Sequence, residues 1–306
     1  MIAMTAPRSL TFELLLLALL ATLWGASYTF IKLGVATIPP VTFIAARTLI
    51  AAFILLTVLR MRGLRLPHDR TTWKRFAIQA ALNSVMPFTL IAWAELTIDA
   101  GLAAILNSTT PIFTFLLTLV LTRHEPSSLR KFFGVLAGMI GICLIIGVEA
   151  LNGVGRELLA QLAMLIATVS YAGAAIFGRN FKDLDPMMPA AGSMLCGAVM
   201  LIPLSLVIDQ PWTLSPSTSS LLALLGLAVF STALAFCIFF RLVNTLGSVG
   251  TTAQAYLRVP IGVAIGALFL SERLTDTAWI GLVCVVAGVA AMTIPPRKRN
   301  ATAVTS

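Results

Sequence analysis

Long apolar runs alternate with short polar breaks along nearly the whole chain. Runs of roughly 18 residues or more with few charges are long enough, as helices, to cross the ~30 Å hydrocarbon core of a bilayer. The pattern predicts ten such spans, at about residues 11–34, 41–60, 74–94, 100–122, 129–148, 157–178, 187–208, 218–240, 248–270 and 276–294. Spanning strands would instead show ~10-residue segments of alternating apolar and polar positions, a pattern this chain does not have. The breaks carry turn and charge signals: Ile38-Pro39-Pro40, the stretch from Arg60 to Arg75, Glu125-Pro126-Ser127-Ser128, Asn152-Gly153, Lys182-Asp183-Leu184-Asp185-Pro186 and Asp209-Gln210-Pro211. Such short connections leave no room for a separate soluble domain, so the expected fold class is an all-α integral membrane protein. A cleavable leader is not expected, because only Arg8 precedes the first span and that apolar run exceeds an ordinary signal core.

Composition agrees: 58% of the 306 residues are hydrophobic and 11% charged. The net charge of +9 would point to nucleic acid in a soluble protein, but its distribution points to topology. With the N-terminus in the cytoplasm, inside segments hold sixteen of the basic residues: Arg8, six between Arg60 and Arg75, Arg123, Arg130, Lys131, Arg179, Lys182, Arg241, Arg297, Lys298 and Arg299. Outside loops hold two, Arg156 and Arg273, and Lys32, Arg47 and Arg258 fall inside spans. Cytoplasmic loops of membrane proteins carry the Lys/Arg excess. A multi-pass protein of the cytoplasmic (inner) membrane with both termini inside is therefore expected, with the lipid bilayer as partner and no nucleic acid. Cys143, Cys196, Cys237 and Cys284 lie in spans without paired spacing, and His68 and His124 lie in loops. No metal site and no cofactor are expected from them.

The second half restates the first. A shift of 149 positions lays Gly101 on Gly250, Ala104 on Ala253, Pro111 on Pro260, Leu119 on Leu268 and Leu121 on Leu270. After two residues drop out, a shift of 147 lays Glu125 on Glu272, Gly134 on Gly281 and Gly141 on Gly288. Near the front of each half, a shift of 143 pairs Ser27-Tyr28 with Ser170-Tyr171. In apolar sequence Leu and Ala matches are cheap, whereas co-linear Gly, Pro and Glu matches are not. The repeats run over 10–148 and 157–294. Five spans is an odd number, so the second half enters from the opposite side of the membrane. Inverted-topology repeats characterise secondary transporters, whose halves exchange conformations about a central site. Duplicated scaffolds and channels share the plan; transport is the expectation.

Ten spans, the duplicated proline in the fourth span of each half, and a Glu followed by a Gly-rich fifth span (Glu125 with Gly134, Gly138 and Gly141; Glu272 with Gly281 and Gly288) together resemble the EamA-type exporters of the drug/metabolite transporter superfamily. The likeness covers about residues 10–295 and is specific for fold, weak for substrate. Size and topology are similar to the YddG-like amino-acid exporters. The resemblance implies a central cavity lined by spans 1, 3 and 4 and their counterparts 6, 8 and 9, with the Gly-rich outer spans as scaffold. It also implies export of amino acids or related small metabolites by alternating access.

Polar stripes show where a substrate could be held, because polar groups facing lipid are costly and turn inward. Substrate-contacting candidates are Trp24 and Tyr28 in the first span, Asn83 in the third, Asn107 and Thr110 in the fourth, Ser170 and Tyr171 in the sixth, and Gln254, Tyr256 and Arg258 in the ninth. Bonding between helices, worth ~0.6–2 kcal/mol per contact, is the competing use of each and the favoured one for any single Ser or Thr. Arg258 is the sharpest position, ~15 Å deep at 1.5 Å per residue. No Asp or Glu sits mid-span to pair with it. Two uses stay open: backbone carbonyls freed by Pro260 with stacking on Tyr256, or a substrate carboxylate gripped bidentately. Its counterpart in the first half is Thr109, so the repeats differ where a site needs asymmetry.

Lys32 and Arg47 lie about one or two turns below the outer surface, where snorkelling to water is expected ahead of pairing with Glu95 or Asp99. Lys32 and Glu95 are the candidate outer gate. Pro111 and Pro260 are expected hinges, with static kinks as the alternative. Gly134-x-x-x-Gly138 and Gly262-x-x-x-Gly266 permit close helix approach, expected within the chain; monomer or dimer stays open.

An enzyme is not expected, since no His lies in a span and there is neither an HExxH run nor a mid-span Asp pair. No phosphate loop supports an ATP-driven pump, and no charged ring supports a channel. The nearest rival is a multidrug cation exporter. The small multidrug members of the superfamily use a membrane-embedded Glu in the first helix, whereas the first-helix acid here, Glu13, lies at the cytoplasmic edge and the midplane charge is positive. A small amino acid or other carboxylate-bearing metabolite is the expected substrate. Uniport, exchange and proton antiport all stay open.

Overall fold

The structure, a computed structural model, describes residues 10–97, 106–121, 129–146, 157–258, 261 and 276–294. Every regular element among them is helical. In chain order these are α1 (Leu10–Gly25), α2 (Ser27–Val35), α3 (Pro40–Met61), α4 (Arg70–Ala80), α5 (Met86–Ala94), α6 (Thr110–Leu121), α7 (Leu129–Ile146), α8 (Leu158–Phe177), α9 (Met187–Ile208), α10 (Thr218–Ala228), α11 (Ala235–Thr245), α12 (Gly247–Thr252) and α13 (Asp276–Thr293). One π-helical turn, Ala81–Val85, joins α4 to α5, and another, Val229–Leu234, joins α10 to α11.

Six continuous rods are long and apolar enough to cross a bilayer: Leu10–Val35, Pro40–Met61, Arg70–Ala94, Leu158–Phe181, Met187–Ile208 and Thr218–Thr245. Their outward faces carry large apolar side chains, with Phe53 71% and Leu159 73% exposed. A bilayer accepts such a surface, and helices satisfy their own backbone within it. Two rods are longer than the hydropathy pattern predicts. The third begins at Arg70, where the Asp69 carboxylate caps α4 by accepting from the Thr72 N–H at 2.7 Å. That bond holds the Asp69 carboxyl below the usual carboxylate range. The rod that begins at Thr218 runs on to Thr245, where Arg241 and Thr245 bond Glu13 near the start of α1.

Helices of the first part pack mainly on helices of the second. α3 lies along α9, α2 along α10, and α1 against α11, while α5 and α6 both pack on α8. α7 lies along α13, and glycines set their separation. A methyl group on Gly288 would sit 2.6 Å from the Gly134 carbonyl oxygen, and one on Gly141 would sit 2.6 Å from the Gly281 carbonyl oxygen. Gly134 and Gly281 are repeat equivalents, as are Gly141 and Gly288. The contact pairs therefore exchange under the repeat, as they do across a two-fold axis. The two helices run antiparallel. The Gly134-x-x-x-Gly138 face is used inside the chain, where Gly138 also receives the ring of Tyr256.

Candidate functional site

A cavity of about 50 Å³ lies where the two parts of the chain cross. α1 passes into α2 at Ala26, whose helical backbone keeps its bonds to Thr22 and Phe30. Just before that junction Trp24 donates its indole N–H to the Ser231 carbonyl at 3.0 Å and packs against Phe236 and Phe239, with ring centroids 6.1 and 5.6 Å away. Side chains also bond carbonyls near the junction: Ser231 Oγ donates to the Leu23 oxygen and Ser27 Oγ to the Trp24 oxygen, both at 2.6 Å.

Each π turn brings polar groups to the interior. In the first, Asn83 lines the cavity at 1% exposure, and its Nδ2 has no hydrogen-bond partner among the described residues. In the second, Thr232 Oγ1 donates to the Leu227 carbonyl, and Ser231 offers its own carbonyl to Trp24. Ser84 and Ser231, one in each turn, are 147 positions apart, within the 143–149 range of shifts that relates the two repeats. A π turn leaves carbonyls out of the regular ladder, and here side chains of other helices take them.

Asn107 lines the cavity from just before the turn that precedes α6, Thr110 from the start of α6, Tyr171 from α8, and Gln254 and Arg258 from helical residues 254–258. Arg258 Nε donates to Gln254 Oε1 at 2.9 Å, and its guanidinium lies 5.4 Å from the centre of the Trp24 ring. No Asp or Glu belongs to the described lining. Trp24, Asn83, Asn107, Thr110, Tyr171, Gln254 and Arg258 are thus brought together as expected from sequence. They come from five of the six spans anticipated; the remaining one, the eighth, contributes Phe236 and Phe239, and α3 adds Arg47.

Other expected residues lie elsewhere. Ser170 does not line the cavity; its hydroxyl donates to the Leu82 carbonyl at 2.8 Å, tying α8 to the first π turn. Tyr256 is fully buried away from it, donating to the Val135 carbonyl at 3.1 Å and lying on Gly138. It is a joint between the ninth and fifth segments, because Gly138 leaves room for its ring there. Arg47 does not snorkel. It is 2% exposed, donates from Nε to Thr232 Oγ1 at 2.7 Å and from Nη2 to the Ser231 carbonyl at 3.4 Å, and stacks on Phe88 at 3.7 Å. The acceptors of the π turn draw it inward, and sequence offered no sign of them. Lys32 is exposed and makes no ion pair with Glu95, whose buried Oε1 has no hydrogen-bond partner among the described residues. Pro111 occupies the first turn of α6, just after the break at Ser108–Thr109, where a missing N–H costs nothing. Pro260 and the side chain of Tyr28 lie outside the described residues, as do Asp99, Glu125, Gly262, Gly266 and Glu272.

A larger hollow of about 880 Å³ opens at the end of the bundle holding the N-terminus of α1 and the C-terminus of α11. Glu13 and Arg241 face each other in it as an ion pair, with a second bond from Arg241 Nε at 3.3 Å and one from Thr245 Oγ1 at 3.1 Å. Arg62 and Asp185 pair nearby at 3.6 Å. α11 separates the two spaces, giving Phe236 and Phe239 to the cavity and Cys237 and Arg241 to the hollow.

Comparison with known proteins gives one consistent result. The model of the EamA-like transporter family matches twice, over residues 11–147 and 158–294. The uncharacterized inner membrane transporter YedA of Escherichia coli (strain K12) is 28% identical over 274 residues, covering 89% of this chain and 87% of its own. The uncharacterized transporter YoaV of Bacillus subtilis is 25% identical, covering 87% and 91%. A probable amino-acid metabolite efflux pump of Escherichia coli (strain K12) is 26% identical, covering 89% and 91%. A solved crystal structure superposes with a TM-score of 0.75 at 16% identity, over 92% of this chain and 97% of that one, which shows a shared fold.

Proposed function

Because the chain belongs to the EamA-like transporter family, we propose that it is a secondary transporter exporting amino acids or other carboxylate-bearing metabolites by alternating access. The observation that carries this reading is the central cavity, enclosed by both repeats, holding Arg258, and lined by no acid among the described residues. A guanidinium in that setting favours an anionic group and repels cationic drugs. Export follows the name of the efflux-pump relative.

The exchanged glycine contacts of antiparallel α7 and α13 support two inverted five-span repeats, and hence ten spans in all. The basic-residue distribution supports both termini in the cytoplasm. The 880 Å³ hollow then faces the cytoplasm. A site for a small molecule commonly holds ~300 Å³ or more, so the 50 Å³ cavity has to widen to admit substrate. We assign the break before Pro111, and Pro260, as hinges for that motion, and Lys32 with Glu95 as the outer gate.

Reconstituted protein should show saturable counterflow of labelled carboxylate-bearing compounds that unlabelled ones compete away. Arg258→Leu should fold and lose at least about tenfold of that flux, the loss expected for a charged hydrogen bond. Normal flux in the folded variant would remove Arg258 from the site. Unsaturable leakage would instead indicate a channel.

A further inference from the structure

We infer that the segment 60–75 is a docking surface for anionic phospholipid of the surrounding bilayer, with Arg60, Lys74 and Arg75 holding the headgroup phosphate. It carries six basic residues, Arg60, Arg62, Arg65, Arg70, Lys74 and Arg75, and one acid, Asp69. All six bases are exposed. Among the described residues only Arg62 of the six is in an ion pair, with Asp185 at 3.6 Å. Asp69 accepts from the Thr72 N–H and feels the charge of Arg75 without pairing with it. The neighbouring segment 178–186 sets Arg179 and Lys182 against Asp183 and Asp185, so it leaves the basic excess standing. The backbone beneath is fixed. Gly63, with φ 69°, turns the chain out of α3, Leu64 and Leu66 pack on the core, and Trp73 donates its indole N–H to the Pro67 carbonyl at 2.8 Å. Arg60, Lys74 and Arg75 line neither the cavity nor the hollow.

Placement, beyond number, points to lipid. A Lys/Arg excess sets topology wherever in a loop it sits, whereas these three charges end the helix faces that meet hydrocarbon. On α3, Phe53, Thr57 and Arg60 are all exposed and stand at i, i+4 and i+7, on one side of the helix, with Met61 beside them at 82% exposure. On α4, Lys74 and Arg75 lie four and three residues before Ile78, itself an exposed apolar side chain. The loop joins the two stripes at their polar ends. Acyl chains lying along Phe53 or Ile78 bring a phosphate to the level of these side chains, whose apolar stems follow the helix surface. Clusters of about four to eight Lys or Arg at the end of a spanning helix attract anionic lipid, each charge adding to the binding. A zwitterionic headgroup carries its own cation and gains less. The corresponding connection of the second half, between α9 and α10, has no Lys or Arg, so no such surface is repeated there.

The full chain in neutral detergent should bind dioleoylphosphatidylglycerol at least about tenfold more tightly than dioleoylphosphatidylcholine, read by native mass spectrometry and by the rise in unfolding temperature. At ~1 M salt, where screening cuts the reach of a charge to ~3 Å, that preference should collapse. Inorganic phosphate should leave the unfolding temperature unchanged, since it has no chain to lie along α3 or α4. Arg60→Gln/Lys74→Gln/Arg75→Gln should lower phosphatidylglycerol binding at least about tenfold. Arg297→Gln/Lys298→Gln/Arg299→Gln removes the same charge from the C-terminal segment and should not. If the first triple variant does not fold, Arg60→Gln and Arg75→Gln stand in for it, each expected to lower binding about fivefold. Equal binding of the two lipids, a preference that survives salt, or undiminished binding in the folded variants overturns the inference. Equal losses in the two triple variants overturn it too, because net charge alone would then attract the lipid. A phosphate effect as large as that of phosphatidylglycerol makes this a free-anion site and overturns the lipid assignment.

Discussion

At the scale of single residues, the charges inside the bundle differ in how they are held, and this sets what their removal should do. Glu13 is 5% exposed and bonded by Arg241 and Thr245, whereas the Arg241 side chain keeps 21% exposure toward the hollow and also lies over Phe12 at 5.1 Å. Removing one member of a buried pair strands the other and costs about 3–5 kcal/mol. Arg241→Met strands the more buried partner and should destabilise the detergent-solubilised protein by about 3 kcal/mol. Glu13→Gln leaves an arginine that reaches water and should cost less, and the double variant should recover part of the loss. Equal losses in thermal or denaturant unfolding would mean the asymmetry of burial is irrelevant. Sequence placed Trp24, Asn83 and Arg258 well, because a polar or aromatic group deep in an apolar run has few places to go. It failed for Arg47 and Tyr256, whose positions depend on acceptors or space supplied by distant helices, namely the Ser231 carbonyl and the flat face at Gly138.

At the scale of elements, hydropathy found the six long rods among the described residues, since a run long enough to span leaves little freedom. The π turns at Ala81–Val85 and Val229–Leu234 were not legible. Their trace in the sequence is only a pair of adjacent polar residues, Asn83-Ser84 and Ser231-Thr232, which an ordinary helix tolerates as well. The glycines of the outer pair were legible as packing residues, and the structure makes their separation testable. Gly288→Ala would place its methyl group against the Gly134 oxygen and the Gly138 nitrogen, at 2.6 and 2.7 Å. Both are backbone atoms, so α7 and α13 must part, at about 1–3 kcal/mol or more. Gly173→Ala is the matched control, its methyl group meeting only Leu82 at an ordinary 3.9 Å. Gly288→Ala should lower the unfolding temperature in detergent and Gly173→Ala should not; equal behaviour would remove the glycine contact as the determinant of this pair.

At the scale of the whole molecule, most packed helix pairs join one half of the sequence to the other, so the halves could not part as separate bodies without losing those contacts. The bundle closes differently at its two ends. Beside the α2–α3 and α9–α10 junctions, Thr37 Oγ1 bonds Ser220 Oγ at 2.8 Å, and Thr42 donates from its backbone N–H and hydroxyl to Asp209 at 2.7 and 2.9 Å. At the opposite end the chain leaves the 880 Å³ hollow. Alternating access requires the Thr37–Ser220 end to part once per cycle, with small hydroxyl contacts of about 1 kcal/mol each that a rocking motion can break and remake. A covalent bridge there should arrest the cycle without touching the cavity. With Cys143, Cys196, Cys237 and Cys284 replaced, Thr37→Cys/Ser220→Cys should transport normally when reduced. Bridging the thiols by oxidation or with mercuric ion should drop counterflow to background, and excess reducing thiol should restore it. Each single-cysteine variant should be indifferent to the same treatment. Full flux with the bridge in place would mean that this end stays shut throughout transport, and that substrate leaves between helices by another route.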